Sequence, residues 1–256
     1  MICGNGHPVN RAVVRDHLRR SKGFAFCPEC GDKVVLPKAD EPIQLTRAVQ
    51  REVEEQQWFA AERTKFEQAI FQVMSYVDGR KMTPPECFIS YAWGNREHEH
   101  WVEQSLAKDL RNAGISVVLD QWKNSRVGAN VSRFIESIGK CDYVIVVGTR
   151  LYRKKYENED TDAGYAVAAE GDLITRRMRG TEARKETVLP VLLEGDEESS
   201  FPPLVQGRVY ADFRNKRAYF IKAFDLILDI YKIAHDDPAV ADLRELLRAR
   251  YARAVA

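Results

Sequence analysis

The sequence predicts an α/β fold: a flavodoxin-like, five-stranded parallel sheet preceded by a small cysteine-bearing module and a long helix. Three observations carry this reading. From residue 87 onward, short apolar runs alternate with helix-patterned segments. The run Tyr143-Val144-Ile145-Val146-Val147 is almost wholly apolar, as a strand covered on both faces must be. Residues 42–78 contain no glycine and repeat apolar side chains at three- and four-residue spacing.

Composition bounds what the fold can do. With 256 residues, 45% hydrophobic and 30% charged, the chain has material for one large or two modest soluble domains. A net charge of +1 gives no support to nucleic acid or an anionic membrane as the main partner. No apolar run approaches the ~20 residues of a membrane span. The opening Met1-Ile2-Cys3-Gly4-Asn5 lacks the basic-then-apolar layout of a signal peptide. Five cysteines without an export signal point to a reducing, cytoplasmic setting, where paired cysteines suggest metal before disulfide.

Taken in order, the chain divides into 1–39, 40–83, 84–234 and 235–256. The first part holds Cys3, His7, Cys27 and Cys30 in the spacing C-x3-H and C-x2-C. Cys27-Pro28-Glu29-Cys30-Gly31 has the residue types of a zinc-knuckle turn, and three thiolates with one imidazole make a closed tetrahedral Zn2+ site. So short a segment has little core, and the metal would supply the missing folding free energy. The competing reading keeps only the Cys27/Cys30 pair. The module resembles a zinc ribbon, a structural and docking class. Next, Leu45, Val49, Val53, Phe66, Ile70 and Val77 lie on one stripe of a helix, or of two helices broken near Trp58, that packs on the following domain or self-associates.

Pro84 and Pro85 close that segment, and the alternating series begins. The first strand is 87–91. Its helix carries Val102, Leu106 and Leu110 on one face and stops at Gly114, a C-cap position. The second strand is 115–120, followed by a loop with Gly128 and a helix through Val131, Phe134, Ile135 and Ile138. The third is 143–147. A charged loop over 153–162 leads into a helix through Ala169, Leu173, Ile174 and Met178. The fourth strand is 187–193, an acidic loop covers 194–198, and a short fifth strand lies at 208–211. A helix from Phe220 to Tyr231 closes the sheet, and 236–256 reads as one more, with a basic face. The expected strand order is 2-1-3-4-5, which puts a switch point, and hence a ligand crevice, at the carboxyl ends of strands one and three.

Tyr91 and Trp93 leave strand one, Asp120, Trp122 and Gly128 follow strand two, and Glu170 sits in the helix after strand three. An aromatic pair, a glycine loop and one carboxylate suit a flat cationic ring attached to a ribose. The plainer alternatives are that Trp93 and Trp122 cover the sheet edge, that Asp120 caps a turn, and that Cys87 and Cys141 are inert packing groups.

Residues 85–233 resemble a TIR domain of the bacterial kind close to the SEFIR branch. The matching pieces are Phe88-Ile89-Ser90-Tyr91, Val118-Leu119-Asp120-Gln121-Trp122 with Gly128, Tyr143–Val147 with Thr149 and Tyr152, Gly164 with Glu170, and Val188-Leu189-Pro190-Val191. The resemblance implies that Glu170 is the catalytic glutamate of an NAD+ glycohydrolase cutting the nicotinamide–ribose bond. It further implies that Tyr165, beside Ala166 at the position one turn before the glutamate, joins Tyr91, Trp93, Asp120, Trp122 and Gly128 around the substrate. Bond breaking passes through an oxocarbenium-like state that one nearby anion stabilises, and nicotinamide leaves neutral, so no general acid is required. Family membership also implies activation by self-association into a homo-oligomer, in immune or anti-phage defence. The second class it allows is a non-catalytic signalling adaptor acting through TIR–TIR pairing.

Overall fold

The computed structural model describes residues 7, 25–27, 29–31, 33–34, 47–119, 139–157, 171 and 174–255. The chain forms two compact units, Met1–Glu54 and Glu55–Ala256. In the first, β1 (Ala25–Phe26) and β2 (Lys33–Val34) pair antiparallel, with Ala25 opposite Val34 and Phe26 opposite Lys33. Helix α1 (Arg47–Gly79) runs unbroken through Trp58, as the lack of glycine and proline allows.

The second unit is built on β3 (Glu86–Ser90), β4 (Ser116–Val118), β5 (Tyr143–Gly148), β6 (Val188–Leu192) and β7 (Ala211–Asp212). The sheet order is β4-β3-β5-β6-β7 and every pairing is parallel, so the expected 2-1-3-4-5 arrangement holds. Register puts Cys87 opposite Val117 on one side and Tyr143 on the other, which makes β3 and β5 the central pair. All six residues of β5 are buried.

Strand alternation sorts the core into two layers. Cys87, Ile89, Tyr91, Ile145 and Val147 face helices α1, α2 and α6. Helix α2 comprises Arg96–Trp101, a π-turn over Val102–Leu106, and Ala107–Asn112; α6 is Tyr219–Tyr231. The Asn95 side chain accepts from the amides of Glu97 and His98 and so starts α2. Gly114 ends it at φ +76°, and a Cβ there would lie 2.5 Å from Met74 Cε, so glycine is required twice over. Phe88, Val144, Val146, Tyr152, Ile174 and Phe201 fill the opposite layer.

Helix α1 enters the first of these layers through Phe66, Ile70, Val73 and Val77. Two ion pairs fasten it. Glu62, 3% exposed, takes Arg250 Nε at 2.6 and 2.8 Å from α7 (Ala241–Val255), and Arg63 Nη1 reaches Asp109 Oδ1 at 2.5 Å.

Three expectations need correction. Residues 153–156 of the expected charged loop 153–162 belong instead to helix α3 (Arg150–Tyr156), because Thr149 caps its amino end and Arg153 pairs with Glu157 one turn on, while 158–162 lie outside the described residues. The acidic segment 194–198 runs into a one-turn helix, α5 (Glu197–Ser200), closed by a capping box between Asp196 and Ser199; the one-turn α4 (Glu182–Lys185) precedes it. The fifth strand is Ala211–Asp212, not 208–211, and Val209 is 97% exposed. The expected helix through Val131–Ile138 lies outside the described residues.

One close approach near the site gives a stability prediction. A Cβ on Gly148 would come within 2.4 Å of the ring of Phe201, which is fully buried. Gly148→Ala is therefore expected to cost about 1–3 kcal/mol, measured by urea denaturation of the two proteins.

Candidate functional site

The carboxyl ends of β3 and β5 meet at the switch point, and the side chains leaving them diverge to both faces. Ser90, the last residue of β3, is fully buried, and its hydroxyl lies 2.9 Å from that of Tyr152 on α3. Tyr152 is itself fully buried, and its amide donates to Thr149 Oγ1. The next residue, Tyr91, turns to the other face. It is 4% exposed, and its hydroxyl donates to Glu103 Oε1 of α2 at 3.3 Å. Trp93 stacks on it with ring centroids 6.4 Å apart and packs half-buried at the edge of the same layer.

The loop carrying these aromatics is tied down at both sides. The Lys155 ammonium donates to the Trp93 carbonyl at 2.5 Å, and the Gly94 amide donates to Glu99 Oε1 at 2.6 Å. Gly94 sits at φ +111°, a conformation that side-chain-bearing residues avoid. Tyr91 and Trp93 are thus held by α2 and α3 together.

On the Ser90/Tyr152 face, the helical residues 171 and 174–178, which precede α4, approach closely. Gly171 is buried, and a Cβ there would lie 2.6 Å from the Tyr156 ring. Tyr156 and Thr175 share a hydrogen bond of 3.1 Å. Gly171 is the residue next to Glu170 in sequence. Glu170, Tyr165, Asp120, Trp122 and Gly128 themselves lie outside the described residues.

Sequence reasoning did not find the Ser90–Tyr152 hydroxyl pair or the Lys155 lock, although Tyr152 stood among the motif residues. A buried serine at the end of an otherwise apolar strand was the available signal. Cys87 and Cys141 are both buried, and burial pushes the Cys87 thiol far above its ordinary value, so Cys87 is an inert packing group.

In the first unit, His7, Cys27 and Cys30 place their ligand atoms within 4.8 Å of one another, and Cys27 Sγ lies 3.9 Å from His7 Nδ1. Bonds of about 2.3 Å to sulfur and about 2.0 Å to nitrogen at tetrahedral angles put such atoms about 3.5 Å apart, so the three form a candidate metal cluster whose ligand atoms stand slightly wider than a closed site requires. Gly31, at φ +73°, donates its amide to the Cys27 carbonyl at 2.9 Å and closes the knuckle between β1 and β2. Cys3 lies outside the described residues.

A family model described as TIR domain matches residues 87–228 of the chain. Among solved structures, the crystal structure of a prokaryotic SEFIR domain is similar at 23% identity, covering 60% of this chain and 94% of that one with a TM-score of 0.44. No curated protein matches the chain.

Proposed function

The chain belongs to the TIR domain family, and from that premise we propose that it is an NAD+ glycohydrolase that acts in immune or anti-phage defence once it has self-associated. The observation that supports this most is the seat of Gly171. Its missing Cβ lets the segment at Gly171, next to Glu170 in sequence, settle on Tyr156 of α3, the helix that leaves the carboxyl end of β5. That is where ligands bind in open parallel sheets.

In this reading Glu170 supplies the anion facing the ribose. The glycosidic C–N bond breaks, its electron pair leaves with neutral nicotinamide, and water adds at the anomeric carbon and gives up a proton. Trp93 lines the mouth, Tyr91 braces it from below, and Asp120, Trp122, Gly128 and Tyr165 complete the substrate contacts. TIR domains associate with one another, and a homo-oligomer is the proposed active state. The test is incubation of concentrated, assembled protein with NAD+ and quantification of nicotinamide. Release supports the reading; none from an assembled preparation ends it.

A second reading, a signalling adaptor acting only by TIR–TIR pairing, draws on one observation. The Tyr91 ring is buried and its hydroxyl is engaged by Glu103. No helix among the described residues is long and apolar enough to cross a membrane.

Cys3, His7, Cys27 and Cys30 are proposed to hold one structural Zn2+, with three thiolates and one imidazole closing the coordination sphere to solvent ligands. The purified protein is expected to carry one zinc per chain by elemental analysis, and Cys27→Ser to lose it. A native protein purified free of metal would overturn the assignment.

A further inference from the structure

The amino ends of β5 and β6 carry a recess of about 370 Å³, lined by Gly139, Cys141, Arg176, Arg177, Arg184 and Thr187. Cys141 comes just before β5 and Thr187 just before β6. The recess is therefore at the opposite end of the sheet from the switch point. At about 3.3 Å per residue, these two strands separate it from their carboxyl ends by roughly 16–20 Å.

Three guanidiniums meet in this corner. Arg177 is fixed between the two strand starts: Nη1 donates to the Asp142 carbonyl at 3.2 Å and to Thr187 Oγ1 at 3.0 Å, and Nη2 donates to the Cys141 carbonyl. Arg176, its neighbour in the helical residues 174–178, and Arg184 of α4 are both exposed, and neither forms an ion pair among the described residues. The carboxylates nearby are turned elsewhere. Asp142 Oδ2 accepts from the Glu86 amide of β3 at 2.8 Å, Glu182 of α4 pairs with Lys185, and Glu186 does not line the recess. Burial, with the Arg184 charge alongside it, holds the Arg177 guanidinium below its ordinary pKa. Like charges are thus brought together with no acidic side chain lining the space between them.

We propose that the recess binds a tetrahedral, doubly charged oxyanion of the phosphate class, held between Arg176 and Arg184 over the fixed Arg177. Charge and shape select this occupant. No aromatic ring lines the recess, so nothing there would stack a base or another flat organic group. Guanidinium forks bind oxyanions two bonds at a time, and a phosphate offers oxygens in several directions where a carboxylate offers two in one plane. Gly139 leaves the wall open, since a Cβ there would meet nothing within 4 Å. The site is at the far end of the sheet from the proposed nicotinamide-cleaving one and does not depend on it.

Inorganic phosphate serves as the probe, titrated into the full chain by calorimetry at constant ionic strength. Saturable binding of one phosphate per chain is expected, with malonate, a dianion of planar carboxylates, roughly tenfold weaker or worse. Glycerol 3-phosphate forms a second arm. Tighter binding of phosphate assigns the site to the free ion, tighter binding of the ester assigns it to a phosphorylated small molecule, and either order supports the proposal. Arg176→Gln combined with Arg184→Gln is expected to weaken phosphate roughly tenfold or more at an unchanged melting temperature without phosphate, because both side chains are exposed. Phosphate is also expected to raise the melting temperature of the parent, and not of the double variant, by binding only the folded chain. The absence of saturable phosphate binding in the millimolar range overturns the proposal. So does undiminished binding by the double variant, or malonate binding as tightly as phosphate.

Discussion

Glu170→Gln is expected to slow nicotinamide release by about 10²–10³-fold while leaving the melting temperature of the protein unchanged. Glutamine keeps the size and the hydrogen-bonding oxygen and removes only the charge. The loss therefore reports the stabilisation of a positive charge that develops on the ribose in the transition state and is absent when nicotinamide has yet to leave. Removing a group that merely bound substrate would raise KM at constant kcat; Glu170→Gln is expected to lower kcat. The measurement is initial-rate nicotinamide release at saturating NAD+ from matched, assembled preparations. Equal rates from the two proteins would remove Glu170 from the chemistry and favour the adaptor reading.

The second large effect concerns the frame. Asp109 is 1% exposed and accepts from Arg63 Nη1 at 2.5 Å and from the Tyr219 hydroxyl at 2.7 Å. Burial, with the Asp109 charge next, holds the Tyr219 phenol well above its ordinary pKa, so the phenol stays protonated and donates at any working pH. Asp109→Ala strands a guanidinium and a buried hydroxyl together. The expected cost is about 3–5 kcal/mol, which for a unit of this size lowers the melting temperature by about 10 °C. Thermal unfolding by circular dichroism checks it. A change of a degree or so would mean that water replaces the carboxylate and that α1 is held by its apolar stripe alone.

The architecture was legible because a parallel sheet writes itself as continuous apolar runs: Tyr143–Val147 could be little else. Turn chemistry was legible at Gly114, where the end of α2 fell as expected. What failed was short. Helix α5 exists because one aspartate and one serine cap each other, and a one-turn helix has no periodicity to read. Helix α3 looked like a loop because Arg153, Lys154 and Lys155 masked the buried Tyr152 between them and Thr149. The partners of Glu62 and Arg63 lie 188 and 46 residues away. No local pattern announces such contacts, so α1 was recognisable as a helix packing on the domain that follows, but the side chains that fasten it were not. At the site, the positions of Tyr91 and Trp93 at the strand exit were readable, whereas the face each ring takes was not. Strand alternation beyond the last paired residue depends on Lys155 and Glu99 gripping the loop.

The clasp between Glu62 and Arg250 also sets the order in which the protein can be finished during synthesis. Its two halves are 188 residues apart, and at ribosomal speeds of ~5–20 residues per second the first waits roughly 10–40 s for the second. Over that interval Phe66, Ile70 and Val73 have no α6 or α7 to cover them. The nascent chain therefore presents a sticky helix to its surroundings until Arg250 has been made, and its yield in cells should depend on chaperone capacity more than the finished molecule's stability would suggest.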